Sequence, residues 1–191
     1  LEEEMTPDRC DLFVLWGSDA KRTTPHLMGR LKKLCDAGVA VFVIDIYRTE
    51  TIAKVEEWGG HGVILSPGSD GALALGLCMM AFDGRAADLA FLKDHCHGAA
   101  EFRAEVTGAW PIERVTEVAS LEKEQVKGLF DALCKAKSPV LKVGIGFARR
   151  RNGGNNMRAI ASLAAVLGHS DRLFFQTGDH YGIDVGVIDR P

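Results

Sequence analysis

The chain has no paired cysteines. Its five, Cys10, Cys35, Cys78, Cys96 and Cys134, stand singly at wide intervals, and without a C-x-x-C pair they frame neither a zinc site nor an iron–sulfur cluster. An odd set of scattered thiols fits a reducing compartment, so the expected location is cytoplasmic, with a periplasmic location left open for a larger parent protein. No apolar run reaches the ~20 residues of a membrane-crossing helix. The longest, Ala72 to Phe82, is interrupted by Gly76 and suits a buried helix. Basic residues are not in surplus: 23 Lys and Arg face 26 Asp and Glu, a net charge of −3, which excludes the domain-wide positive field that nucleic-acid binding needs. The first residues carry no basic segment followed by an apolar stretch, so no signal peptide is expected. Neither repeats nor low-complexity tracts occur. His95-Cys96-His97 is the one dense group of metal-ligand types, yet neighbouring side chains on a helix diverge, and no metal site is expected there.

What is present reads as one domain. The 191 residues are 47% apolar and 26% charged, the composition of a soluble globular unit. Asp11 to Trp16 is a short apolar run ending in Gly17-Ser18, a buried strand and turn. Thr24-Pro25 supplies an N-cap and a first helical residue, and Leu27, Leu31 and Leu34 line one helical face as far as Gly38. Val39 to Ile44 is a second strand, apolar on both faces, with Asp45 at its carboxyl end. A short helix over Thr51 to Trp58, a strand over Gly62 to Leu65 and a helix over Ser69 to Phe82 follow. Asp88 to Lys137 reads as three or four helices, including Phe102 to Ala109, Pro111 to Ser120 and Leu121 to Lys135. Val140 to Val143 is a fourth strand, followed by a basic glycine-rich loop and a helix over Met157 to Leu167. The tail from Asp171 shows no clear period. Strand and helix in alternation predict an α/β fold: a doubly wound, mainly parallel, Rossmann-like sheet in three layers. Its core strands fall within about 11–85 and 138–175, with a helical insertion over about 86–137.

Open parallel sheets bind ligands beyond the carboxyl ends of their strands, which singles out four segments. At Trp16-Gly17-Ser18-Asp19, Gly17 admits backbone amides to a ligand and Ser18 adds a hydroxyl, a fit for phosphate. Asp45 can accept hydrogen bonds from a ribose hydroxyl or purine amine, with Tyr47, Arg48 and Thr49 next to it. In Pro67-Gly68-Ser69-Asp70, Ser69 can cap the following helix, while Asp70 either reinforces that cap or accepts N–H donors from a base. Finally Gly144-Ile145-Gly146 leads to Arg149, Arg150 and Arg151, whose guanidinium groups suit a pyrophosphate. The last segment is not a G-x-G-x-x-G fingerprint, because no glycine follows Gly146 at the third residue.

These segments, in this order, resemble the nucleotide-binding domain of the dimethyl-sulfoxide-reductase family of molybdopterin oxidoreductases. The resemblance is carried by Trp16-Gly17-Ser18-Asp19 with Thr24-Pro25-His26, by Asp45-Ile46-Tyr47-Arg48-Thr49-Glu50-Thr51, by Pro67-Gly68-Ser69-Asp70-Gly71-Ala72-Leu73, and by Arg158-Ala159-Ile160-Ala161-Ser162-Leu163. It runs from Asp11 to about Leu167. It implies that Trp16, Gly17, Ser18, Asp19, Asp45, Arg48, Thr49, Gly68, Ser69 and Asp70 cradle the phosphates, ribose and guanine of a molybdopterin guanine dinucleotide carrying molybdenum or tungsten. Ile145, Gly146 and Arg149 would lie near the pterin, and Arg151 is the counterpart of an arginine that approaches the metal in some formate-oxidising members. Four positions depart from the family pattern: Asp19 stands where Asn is usual, Ile46-Tyr47 where Pro-Arg is usual, and Ser69 where Thr is usual.

The resemblance further implies a fragment of a larger catalytic subunit in anaerobic metabolism. An iron–sulfur cluster and the protein ligand to the metal would lie in segments outside this chain. The partners it implies are the remaining domains of the same polypeptide and electron-transfer subunits. The expected function is therefore the cofactor-binding domain of an oxidoreductase such as a formate dehydrogenase or an oxyanion or sulfur-compound reductase, with no catalytic residue of its own. Two alternatives stay open: a cofactor-free structural domain of the same fold, as in the large peripheral subunit of respiratory NADH dehydrogenase, and a stand-alone nucleotide-binding enzyme.

Overall fold

The computed structural model describes residues 1–146 and 149–175. Phe147 and Ala148 of the glycine-rich loop, and the tail beyond residue 175, lie outside the described residues.

Five strands form one sheet among the described residues: β1 (Leu12–Trp16), β2 (Ala40–Asp45), β3 (His61–Ile64), β4 (Pro139–Val143) and β5 (Leu173–Phe175). Their order is β3-β2-β1-β4-β5, and each neighbouring pair runs parallel. The sequence dictates this arrangement: every residue of β1 and β4 is buried, which suits central strands covered on both faces. Because β2 lies on one side of β1 and β4 on the other, the strand order reverses about β1, which places a crevice at the carboxyl edge.

Alternation within the strands sorts two cores. Phe13, Leu15, Val41, Val43 and Val140 face α1 (Ala20–Thr23), α2 (Pro25–Asp36) and α3 (Glu50–Glu57). Leu12, Val14, Trp16, Phe42, Ile44, Leu141 and Val143 face the opposite layer, which contains α4 (Asp70–Asp83) and α9 (Gly153–Val166). The helix α5 (Leu89–His95) packs on α9, while α6 (Ala99–Val106), α7 (Ile112–Ala119) and α8 (Lys123–Lys135) lie outside α4. This insertion explains the composition of α4, which is apolar on all sides because it is covered on all sides.

Three local expectations are corrected. Thr24 does not cap α2: the short helix α1 runs directly into it, its N–H closes on the Ala20 carbonyl at 2.8 Å, and its hydroxyl is buried without a partner. Ser69 does not cap α4 either, since its hydroxyl donates back to the Ser66 carbonyl at 2.6 Å. The last helix starts at Gly153 rather than Met157. Glycines cost little in a first turn, where the amides have no intrahelical acceptor to lose. Among the described residues no cluster of His, Cys, Asp or Glu could hold a metal ion, and no helix is long and apolar enough to cross a membrane.

Candidate functional site

The crevice between the β1 and β4 loops holds a cavity of about 350 Å³ lined by Gly17, Asp19, Thr23, Asp45, Ile46, Tyr47, Asp70, Ile145, Gly146 and Arg150. Its construction begins with a contact between two backbones. Gly144 donates its N–H to the Trp16 carbonyl at 2.8 Å, continuing the ladder one residue past β4. A Cβ at Gly144 would lie 2.1 Å from the Gly17 carbonyl oxygen and 2.8 Å from the Ser18 Cβ. Only glycine permits that crossing, and it brings the two loops together into a shared floor.

The acidic side of the cavity is arranged with care for each oxygen. Trp16, 1% exposed, sits behind the cavity and donates its indole N–H to Asp70 Oδ1 at 2.9 Å. The second oxygen of Asp70, itself 2% exposed, is buried and has no hydrogen-bond partner among the described residues. Burial drives the Asp70 carboxyl above its ordinary range, against the opposing pull of the Trp16 indole, its own backbone amide and the Arg150 guanidinium. Asp45 closes β2, and one of its oxygens accepts from the Ile46 N–H at 2.8 Å. Its carboxyl is also raised, first by burial and then by the charges of Asp19 and Asp70. Asp19 Oδ1 accepts from the Thr51 hydroxyl at 2.6 Å, while its Oδ2 is buried without a hydrogen bond and lies 3.5 Å from Arg22 Nε.

The basic side comes from the β4–α9 loop. Gly68, with φ +89°, turns the chain just before α4, and a Cβ there would meet the Arg150 guanidinium at 3.2 Å. Arg150 thus lies across the Gly68 backbone, beside the amino-terminal ends of α4 and α9.

The structure therefore brings Gly17, Asp19, Asp45, Asp70, Ile145 and Gly146 together around one cavity, with Trp16, Ser18 and Ser69 buried behind it. It does not bring the remaining expected residues to the lining. The Thr49 hydroxyl is spent as the N-cap of α3, accepting from the Ile52 N–H at 3.1 Å, and Arg48 pairs with Glu56. Arg149 and Arg151 are exposed outside the lining. Sequence reading undervalued Arg150, Tyr47, Ile46 and Thr23. Arg150 carried a signal, being one of three consecutive exposed arginines, but which of them reaches the cavity lining depends on loop geometry that no periodicity encodes.

A larger cavity of about 680 Å³ opens at the opposite edge, between the first residues of β1, β2 and β3 and the helix α8. None of the buried unpartnered side-chain atoms found among the described residues lines it. Convergent polar groups mark the smaller cavity as the candidate site.

Comparison with known proteins agrees with this architecture. The family model for molybdopterin oxidoreductases matches residues 7–178, and the chain belongs to that family. It is 30% identical over 157 residues to the probable oxidoreductase YoaE of Bacillus subtilis, covering 82% of this chain and 22% of that protein. It is 26% identical over 164 residues to formate dehydrogenase H of Escherichia coli, covering 85% of this chain and 22% of the relative. Among solved structures, acetylene hydratase from Pelobacter acetylenicus superposes with a TM-score of 0.70 at 18% identity, over 83% of this chain and 21% of that one, a likeness of fold. The chain thus spans about a fifth of the length of these relatives.

Proposed function

We propose that the chain is the cofactor-binding domain of a molybdenum or tungsten oxidoreductase of the bis-molybdopterin-guanine-dinucleotide type, such as a formate dehydrogenase or an oxyanion or sulfur-compound reductase, and that its cavity holds the guanine-nucleotide half of the cofactor. The observation that carries this reading is the free oxygen of Asp70. A buried acceptor without a donor costs on the order of 1–3 kcal/mol, a cost that a ligand N–H removes. Guanine offers such donors, and Asp45 at the neighbouring strand end suits a ribose hydroxyl. The Gly144–Gly17 crossing supports the same reading, since it leaves the cavity floor to backbone atoms that a flat ligand can approach closely. Arg150 and the amide-rich start of α9 supply positive potential for a pyrophosphate.

When bound, the cofactor would supply an oxygen atom, hydride or electron-pair transfer at its metal. This chain's residues bind and orient it: Asp70 and Asp45 accept hydrogen bonds, Trp16 fixes Asp70, and Arg150 balances charge. Calorimetry on the full-length protein, purified free of cofactor and titrated with GDP, tests the proposal. Asp45→Ala is expected to weaken binding by about tenfold or more, the scale of one lost hydrogen bond to a charged group. Equal affinity of variant and parent would remove Asp45 from the site.

A further inference from the structure

Three carboxylates line the cavity, and their surroundings differ in a way that bears on which part of a nucleotide can enter. Asp70 keeps one buried oxygen without a hydrogen bond among the described residues, and Asp45 ends β2 with one oxygen held by the Ile46 N–H, so both suit ligand groups that donate. Asp19 is held in place instead. Its Oδ1 is fixed by the Thr51 hydroxyl at 2.6 Å, the Thr51 Oγ also accepts from the Lys21 N–H at 2.9 Å, and Thr51 is fully buried in α3. The Asp19 Oδ2 is buried without a hydrogen bond among the described residues, and Asp19 lines the cavity together with Gly17. The nearest cation, Arg22, is mostly exposed and is shared with Glu50 at 3.0 Å, so it offsets the Asp19 charge only in part.

Resting on the nucleotide reading above, we propose that Asp19 is a specificity-determining residue that divides the site into a nucleoside compartment and a phosphate compartment. An oxyanion seated on the Gly17-Ser18 turn would face the fixed Asp19 carboxylate in the same cavity, and like charges juxtaposed in a partly dry site repel strongly. Phosphate is therefore kept from the β1 turn and directed to the other wall, where Arg150 lies over Gly68. The cavity beside Asp19, Asp45 and Asp70 is left for groups that donate, the base and ribose. Arg150, the lone basic side chain in the lining among the described residues, sets the polarity of the bound nucleotide: base toward the carboxylates, phosphate toward the β4–α9 loop.

Asp19→Asn is the discriminating change. Its side-chain carbonyl retains the acceptor for Thr51, so the turn keeps its fold, while the charge goes. A thermal melt that matches the parent verifies this, and Asp19→Ser, which removes the charge with a smaller polar group, serves as a second variant. Affinities of guanosine and of GDP are measured by calorimetry on the cofactor-free full-length protein. The expected result is a GDP affinity that rises by about tenfold in both variants, with guanosine changed less than twofold. Unchanged or weakened GDP binding, with guanosine still bound, overturns the role of Asp19 and leaves the nucleotide site standing. If neither probe binds parent or variants, the nucleotide reading itself falls, and the compartments fall with it.

Discussion

The two oxygens of Asp70 have different neighbours: Oδ1 accepts the Trp16 indole N–H at 2.9 Å, and Oδ2 meets none. Burial raises this carboxyl above 3.8, so the folded chain holds the proton to higher pH than the unfolded chain does. The stability linked to that proton is fully present below the unfolded value and is lost as pH rises through the folded one. Ionising Asp70 in the free chain therefore leaves a buried carboxylate with one oxygen unpartnered among the described residues. Asp70→Asn keeps the acceptor for Trp16 and removes the charge. It is expected to raise the melting temperature by a few degrees at pH 7, about 1 kcal/mol for a domain of this size, with the gain vanishing below pH 4. The same variant should bind GDP more weakly, because an amide nitrogen then faces the ligand's donors. Melting curves across pH, paired with calorimetry, check both signs; a loss of stability at pH 7 would contradict the assignment. Residue types at Asp45 and Asp70 were legible from position alone, since each follows a strand end. That Trp16 supports Asp70 was not, because a contact across 54 residues has no local signal.

At the scale of elements, periodicity and capping chemistry located most of the helices and strands, as with Leu27, Leu31 and Leu34 on α2 and the all-buried run of β1. Failures arose where a local rule met a tertiary one. Thr24 looks like an N-cap but is consumed by the end of α1, and Gly153 and Gly154 look like loop yet form the first turn of α9. Lys142, inside the fourth strand, is buried with no hydrogen-bond partner among the described residues, and burial lowers its pKa. The Gly144 crossing is the element-level feature with the sharpest consequence. Gly144→Ala places a methyl group 2.1 Å from the Gly17 carbonyl oxygen, where backbone must move, and is expected to cost about 3 kcal/mol or more. Gly29→Ala on α2, where nothing lies within 4 Å, should instead stabilise by up to about 1 kcal/mol through helix propensity. Chemical denaturation of the two variants measures the contrast, and similar effects at both sites would show that the loops are free to separate.

For the molecule as a whole, the parallel order β3-β2-β1-β4-β5 explains why motifs separated by more than a hundred residues belong to one site. Each lies at a strand's carboxyl end, and the reversal between β2 and β4 around β1 places them about one crevice. That arrangement was legible because the strands are short, apolar and punctuated by glycine. The contact of the exposed Arg150 with Gly68 was not, since it joins residues distant in sequence, nor was the pairing of Arg48 with Glu56 on α3.

The bond between Trp16 and Asp70 also makes the protein its own optical gauge. Trp58 and Trp110 are partly exposed, the latter beneath the Arg114 guanidinium at 4.4 Å from its ring, whereas Trp16 is sealed from water. Its blue emission should survive added iodide, and should shift in wavelength or lifetime when guanosine reaches the far oxygen of the same carboxylate. A quencher-resistant component that stays constant under saturating guanosine would mean that the indole and the occupant do not share Asp70.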